Sequence, residues 1–308
     1  MLQPDCAPSR RCYLAVAGQW RMSSAGIDQQ KLGEMRHAVD VVAKMVGVLQ
    51  GESAQRYAPE NYAPQSRAAQ AAADEATALP PEWAAWFQSW TRILSAADHL
   101  FALERVLEPE ALLTFSPWTV ARAILEATEQ VSWLLHPAIE ERVRTARCLG
   151  LLRRDAKAQK RLANALRNEE LVGQCDEILG GIRRLAKEFD VAVEEPKGPS
   201  TIGASKDYHL LAGGFHQNQG INEALSLKKT TTSGSRNEYQ VSLDEGQVRY
   251  LLREPLRWFG IASHRHFSYC GFDLAELEAV LVPSTKVLGL PQRFWEQPAA
   301  EHEKPKPA

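Results

Sequence analysis

The sequence predicts an all-α protein built as a multi-helix bundle. At least six segments of the 308-residue chain carry apolar side chains at the period of an amphipathic helix. Residues 239–243 alternate like a β-strand, but a lone strand cannot form a stable sheet. We expect a helical bundle domain over residues 81–296, a partly flexible helical arm at residues 1–80 and a disordered tail at residues 297–308, which is rich in Pro, Lys and Glu.

Residues 116–136 form the best-marked helix. Ser116 is a good N-cap, and Pro117 suits the first helical position. Apolar and small side chains cover most of the circumference, so this helix is predicted to be packed by neighbours on several sides. The remaining narrow strip consists of Arg122, Glu126, Glu129 and Trp133. Because Arg122 and Glu126 are one turn apart, we expect them to pair and to face a cleft between helices.

The other helices follow from the same period. They are expected at residues 27–50, 66–78, 82–107, 137–166, 206–215, 244–267 with a kink near Pro255, and 273–281. Trp83, Trp86 and Trp90 lie at helical spacing, a pattern more typical of a bundle core than of an aromatic ligand cage. Residues 228–237 are interpreted as a basic, solvated loop.

Charge is unevenly distributed along a chain whose formal net charge is −2. Residues 142–167 hold nine Lys or Arg and one acid, whereas residues 168–195 hold eight acids and three Lys or Arg. One interpretation is an antiparallel helical hairpin in which opposite charges face each other. The alternative is a nucleic-acid-binding stripe that presents Arg153, Lys157, Lys160 and Arg161 to phosphates.

Several classes of site have no signature in the sequence. The five cysteines are scattered and form no Cys-x-x-Cys pair, which favours a reducing cytoplasm over a zinc or disulfide framework. His209, His216 and Glu223 are spaced seven residues apart, unlike metal ligands on one helix. We therefore expect no metal and no cofactor. No run approaches the 18 apolar residues of a membrane span, so we expect no membrane partner.

Two motifs, ARAILEATEQVSWLLHP and YHLLAGGFH, resemble an uncharacterised family of helical bacterial proteins over roughly residues 81–225. Arg122 and Glu126 match the first motif of that family; Tyr208, Leu211 and His216 match the second, in which Ala212 replaces a serine. The resemblance implies that Tyr208 and His216 approach the Arg122–Glu126 pair. The four side chains would then form either a pocket for a small polar ligand or nucleotide, or a structural network.

Such families look related to the HEPN superfamily of four- and five-helix bundles, several of which are ribonucleases in toxin or antiviral systems. Those nucleases carry an Arg followed at a short interval by a His. Two pairs here fit, Arg257 with His264 and Arg92 with His99. The resemblance implies Arg257 and His264 as a catalytic pair if the chain is a nuclease.

The leading hypothesis is a cytoplasmic, HEPN-like helical bundle with extra helices, which binds RNA or a nucleotide in a regulatory or defence role. The first alternative is a metal-independent ribonuclease toxin, and the second is a protein-interaction scaffold without a ligand. A homodimer and a protein partner both remain open, and the sequence does not decide whether the chain is an enzyme.

Overall fold

The computed structural model describes residues 28–51, 66–73, 80, 83–108, 116–196, 227–233, 236–241 and 243–296. The helices in chain order are α1 Gln29–Gly51, α2 Arg67–Ala73, α3 Ala85–Val106, α4 Ser116–Leu134, α5 Glu141–Ala165, α6 Glu169–Glu188, α7 Glu245–Cys270 and α8 Ala275–Leu288, with a 3-10 helix at Phe294–Glu296. Two strands, β1 Leu227–Ser233 and β2 Arg236–Val241, lie between α6 and α7. The predicted all-α bundle is confirmed, with one β-hairpin added to it.

The core is organised around α4, which packs against α3 and α7. Its apolar side chains Ala121, Ile124, Leu125 and Val131 are fully buried. Because α3 and α7 also contact each other, the three helices enclose a continuous core. Packing against α3 and α7 on two sides therefore explains why residues 116–136 carry apolar side chains around most of the helix.

Helix α1 belongs to this core. It packs against α3 and α8, and Leu32, Met35, Val39 and Val46 are fully buried in the same hydrophobic cluster as α4. The structure thus corrects the predicted arm at residues 1–80, since it places residues 29–51 within the bundle. The sequence shows the apolar face of α1 but not which helices cover it.

Helices α5 and α6 form an antiparallel hairpin joined by a short turn. Asn168 caps α6 by accepting a hydrogen bond from Leu171 N at 3.0 Å, and Arg167 in the turn has φ of 55°. The buried residues of α5 are concentrated between Arg144 and Leu151; beyond them, Ala156 and Ala163 are buried. The distal half of α5 therefore projects from the bundle and packs mainly on α6.

Helix α7 begins at a capping box, in which Asp244 and Gln247 bond each other's backbone amides, and ends at Gly271 with φ of 71°. It continues through Pro255 because Leu252, Leu256 and Phe259 on either side are fully buried and hold the helix against its neighbours. Helix α8 likewise continues through Pro283, beyond the end predicted at residue 281.

Residues 228–237, predicted as a loop, instead lie largely within strands. β1 and β2 pair antiparallel, with Lys229 opposite Tyr239 and Ser233 opposite Arg236. The physical reason is the run of β-branched threonines at residues 230–232, which favours a strand. The loop was predicted because Gly, Ser and Asn, which favour turns, follow these threonines. The predicted helix at 206–215 and the predicted tail at 297–308 lie outside the described residues.

Gly260 on α7 allows the 3-10 helix to pack closely. A Cβ at this position would lie 2.8 Å from Phe294 Cζ and 2.9 Å from its Cε2. We predict that Gly260→Ala lowers the free energy of unfolding by about 1–3 kcal/mol, because the ring of Phe294 must shift within a packed core. Urea denaturation measures this change.

Gly173→Ala on α6 is the matched control, since no heavy atom lies within 4 Å of its added Cβ. Alanine there should stabilise the helix by roughly 0.5–1 kcal/mol. Equal effects of the two substitutions would contradict the packing argument.

Candidate functional site

The charged strip on α4 becomes more deeply buried toward the carboxyl end of the helix. Arg122 Nε and Nη2 each lie 2.9 Å from Glu126 Oε1, which confirms the predicted pair. Glu129, one turn beyond Glu126, is 2% exposed, and Trp133, one further turn along α4, is 7% exposed. Tyr208 and His216 lie outside the described residues, so their approach to the Arg122–Glu126 pair stays a prediction.

The carboxyl end of α4 is held by three arginines from two other helices. Arg265 Nη1 donates to Ser132 O at 2.6 Å, Arg147 Nη1 to Trp133 O at 2.5 Å and Arg144 Nη1 to Leu134 O at 2.7 Å. The last carbonyls of a helix have no partner within it and carry the negative end of its dipole. The three guanidinium groups satisfy these oxygens and place positive charge against them.

Arg144 is the most deeply buried of the three. It is 0% exposed, its Nε lies 3.0 Å from Glu141 Oε2, and its Cζ lies 4.8 Å from the centre of the Tyr269 ring. The Tyr269 hydroxyl donates to Glu141 Oε1 at 3.0 Å, and burial raises the pKa of this phenol well above its usual value. Tyr269 therefore stays a neutral donor, and the cluster is electrostatically balanced inside the protein.

Arg147 connects the end of α4 to the segment that follows α6. Its guanidinium lies 4.7 Å from the centre of the Trp133 ring, and its Nε lies 3.5 Å from Glu194 Oε2. A cation over the face of an indole is attracted by the ring quadrupole. Trp133, which the sequence places in the charged strip, is thus a stacking surface for Arg147.

Arg92, the arginine of the Arg92 and His99 match, joins three helices. Its Nε donates to Gln130 Oε1 on α4 at 2.8 Å, and its Nη2 donates to Asp155 Oδ2 on α5 at 2.7 Å. Burial lowers the pKa of this guanidinium, while Asp155 raises it. His99 contacts Ser95 O through Nδ1 at 2.6 Å. Arg92 therefore acts as a structural link among α3, α4 and α5.

The basic stripe lies on the hairpin and meets acidic side chains. Arg153 and Lys157 both pair with Glu195, and the distance from Lys157 Nζ to Glu195 Oε1 is 2.8 Å. Lys160 Nζ lies 2.5 Å from Asp176 Oδ1 on α6. The hydrogen bonds from Lys157 and Arg153 lower the pKa of the Glu195 carboxyl, with the bond from Lys157 contributing most. The sequence expectation of a hairpin with opposed charges is confirmed. Arg161 is exposed on the same edge and donates from Nε to Lys157 O at 3.3 Å.

The position of Glu195 is set by a close backbone contact between residues 191–196 and α5. Glu194 N donates to Ala146 O at 3.1 Å, and a Cβ on Gly150 would lie 1.8 Å from Glu194 O. A glycine is therefore required at position 150 for this segment to cross α5. The crossing places Glu194 beside Arg147 and Glu195 beside the basic stripe.

Arg257 and His264, the candidate catalytic pair, lie on α7 two turns apart. Arg257 Nη1 is 3.2 Å from Glu254 Oε2, and its Cζ is 5.4 Å from the centre of the Trp258 ring. Burial lowers the pKa of His264, so its imidazole is neutral at pH 7 and able to accept a proton. The described residues place the arginine in an ion pair and leave the histidine partly exposed.

A serine and a histidine that the sequence analysis did not pair meet in the core. Ser89 Oγ on α3 lies 2.7 Å from His266 Nδ1 on α7, 177 residues later, and both are 0% exposed. Ser89 Oγ also donates to Trp86 O at 2.9 Å. Burial lowers the pKa of His266 to about 3, so the ring is neutral. Since both groups are sealed from solvent, this pair fixes α3 against α7.

Within the part of the chain that the structure describes, no group of three His, Cys, Asp or Glu side chains is arranged to hold a metal ion. His209, His216 and Glu223 lie outside that part. Cys148 is buried with its thiol directed at Trp83 O, and burial raises its pKa to about 12, so it remains protonated. None of the described helices is long and apolar enough to cross a membrane.

No protein-family model, curated protein or solved structure matches the chain. The resemblance to a helical bacterial family accordingly depends on the two sequence motifs alone.

We predict that Arg144→Met lowers the free energy of unfolding by about 2–4 kcal/mol. The substitution keeps a long side chain but leaves Leu134 O and Glu141 without their buried donor. Arg142→Met is the matched control on the same helix, because Arg142 is exposed and pairs with Asp190 at the surface, where ion pairs contribute about 0–1 kcal/mol. Chemical denaturation that shows equal losses would contradict the capping role.

Proposed function

We propose that this helical bundle binds RNA or a nucleotide, with RNA contacting the cationic edge of the α5–α6 hairpin. The cationic edge consists of Arg153, Lys157, Lys160 and Arg161. The observation that carries the proposal is that these four cations lie along one side of the part of α5 that projects from the bundle. A row of cations on a projecting helix can follow a phosphate backbone without any change in the core.

The acidic partners of this edge do not prevent such binding. Glu195 and Asp176 supply two carboxylates against four cations, which leaves two net positive charges at the edge. Ion pairs near the surface are weak, and a phosphate offers the same cations charge-assisted hydrogen bonds of the same kind. Phosphate oxygens would therefore replace carboxylate oxygens at a small cost.

A regulatory or defence role is part of the same proposal, and it is supported by the two motifs that resemble a family related to the HEPN superfamily. The ribonuclease alternative is supported by one observation on α7. His264 is a neutral base at pH 7 and lies two turns from Arg257. Cleavage of the RNA in the presence of a chelator, lost in His264→Ala, would establish this activity.

For RNA binding, we predict that reversing the four charges of the cationic edge to Glu lowers affinity for a labelled single-stranded RNA at least about tenfold at low salt and flattens its salt dependence. Fluorescence anisotropy over a salt series measures both quantities. Arg183→Glu with Arg184→Glu is the control, because these arginines are exposed on α6 and lie outside the edge. Failure of the unmodified protein to bind RNA at low salt would end the RNA proposal.

For a free nucleotide, the candidate contacts are Arg122 and Glu126 together with Tyr208 and His216. We predict that Glu126→Gln reduces nucleotide binding with little change in melting temperature, because the substitution keeps the volume and removes the charge that fixes Arg122. Calorimetric titration with ATP and GTP measures the binding. Because the Glu126 side chain is 39% exposed, a structural role would lower stability by up to about 1 kcal/mol. Such a fall without any nucleotide binding would assign the pair to a structural network instead.

A further inference from the structure

The tip of the α5–α6 hairpin exposes large apolar side chains on one face of α5. Leu162 is 58% exposed and Leu166 is 66% exposed, and the two lie one turn apart. Ala158 and Ala165 are exposed beside them. We call these four residues the leucine face. Among the described residues, Val282 on α8 is the other large apolar side chain with comparable exposure, at 53%.

The leucine face continues the surface that packs α5 against the bundle. Arg144, Cys148 and Leu151 are fully buried, and the same alternation of four and three residues leads through Asp155 and Ala158 to Leu162 and Ala165. Asp155 still meets the bundle, since it contacts Arg92 of α3 at 2.7 Å. Spacings of three and four residues are those of a helix-packing seam. The proximal half of this seam is therefore filled by helices of the bundle, and its distal half faces solvent.

We propose that the leucine face binds an amphipathic helix of a partner protein, one with acidic side chains beside its apolar stripe. The charge follows from Arg154 and Arg161, which border the face seven residues apart on the same side of α5. Arg154 Nη2 lies 3.5 Å from Asp155 Oδ1, a partly exposed contact that a partner carboxylate can replace. A helix that inserts leucine-sized side chains between Ala158, Leu162 and Leu166 would bring its flanking carboxylates to these two arginines.

The cationic edge and the leucine face lie on different sides of α5 and share Arg161 at their border. Arg153 and Leu162 are nine residues apart, which places them on opposite sides of a helix. Exposed leucines give phosphates no hydrogen-bond donor, so the leucine face does not suit RNA. A second copy of the chain also fits poorly, because two α5 helices crossing antiparallel at Leu162 would bring Arg161 against its own equivalent. This inference does not depend on the RNA proposal.

The test uses the full chain and a labelled synthetic peptide of about three heptads, with leucine at the a and d positions and glutamate at the e and g positions. Repulsion between the glutamates prevents the peptide from pairing with itself. A second peptide with lysine at the same e and g positions is the matched probe. We expect the glutamate peptide to bind and the lysine peptide to bind at least about tenfold more weakly, measured by fluorescence anisotropy.

Two sets of variants locate the interaction. Leu162→Ser with Leu166→Ser should weaken binding of the glutamate peptide by on the order of tenfold or more, whereas Val282→Ser should leave it unchanged. Arg154→Glu with Arg161→Glu should reverse the preference toward the lysine peptide. Because both leucines are exposed, unchanged circular dichroism will verify that the double variant is folded.

Several results would overturn the inference. Equal binding of the two peptides would contradict the preference for an acidic partner. Undiminished binding of the glutamate peptide to the Leu162→Ser, Leu166→Ser variant would show that the leucine face is not the binding site. A dimer seen by analytical ultracentrifugation and lost on Leu162→Ser with Leu166→Ser assigns the face to a second copy. Loss of RNA binding in that same variant assigns the face to nucleic acid and also overturns the inference.

Discussion

The carboxyl end of α4 imposes the main electrostatic constraint on the bundle. A helix that ends among its neighbours leaves its last carbonyls without internal partners, and burying them unsatisfied is costly. Here Arg144, Arg147 and Arg265 donate to three successive carbonyls. Because two of these arginines come from α5 and one from α7, the same bonds that satisfy α4 fix where α5 begins and how α7 lies against it. The turn between α4 and α5 is thereby held on both sides.

Two classes of arginine and lysine can be distinguished among the described residues. Arg144, Arg147 and Arg92 are engaged by carbonyls, aromatic faces and buried polar groups, so removing any of them from these contacts would leave unpaired groups in the core. The cations of the hairpin are instead held by Glu195 and Asp176 near solvent. Cations of the second class can exchange partners at a small cost, which is why the proposed RNA contact lies on the hairpin and not at the buried arginines.

The sequence predicts the helices of the bundle well and their mutual contacts poorly. Periodicity locates α1, α3, α4 and α7 because each buries a continuous apolar face. The capping of α4 was not predictable, since Arg265 reaches Ser132 from 133 residues away. The opposite net charges of the two hairpin helices were visible in the composition. That Glu195 is the acid that pairs with Arg153 and Lys157 depends on the backbone crossing at Gly150. In the strip on α4, the Arg122–Glu126 pair follows from local spacing, whereas the burial of Glu129 and Trp133 depends on tertiary packing.

Helix α5 shows how one element can serve both the core and a binding surface. Its first half carries Arg144, Cys148 and Leu151 into the bundle, and its second half carries Leu162 beyond the bundle on the same face. Since Asp155 still contacts Arg92, the change from core to exposed surface occurs within the next two turns. Substitutions on the distal half alter side chains that contribute little to the core, so stability and binding can vary independently there. The fold thus supplies a rigid base, and the hairpin presents two chemically different faces from it.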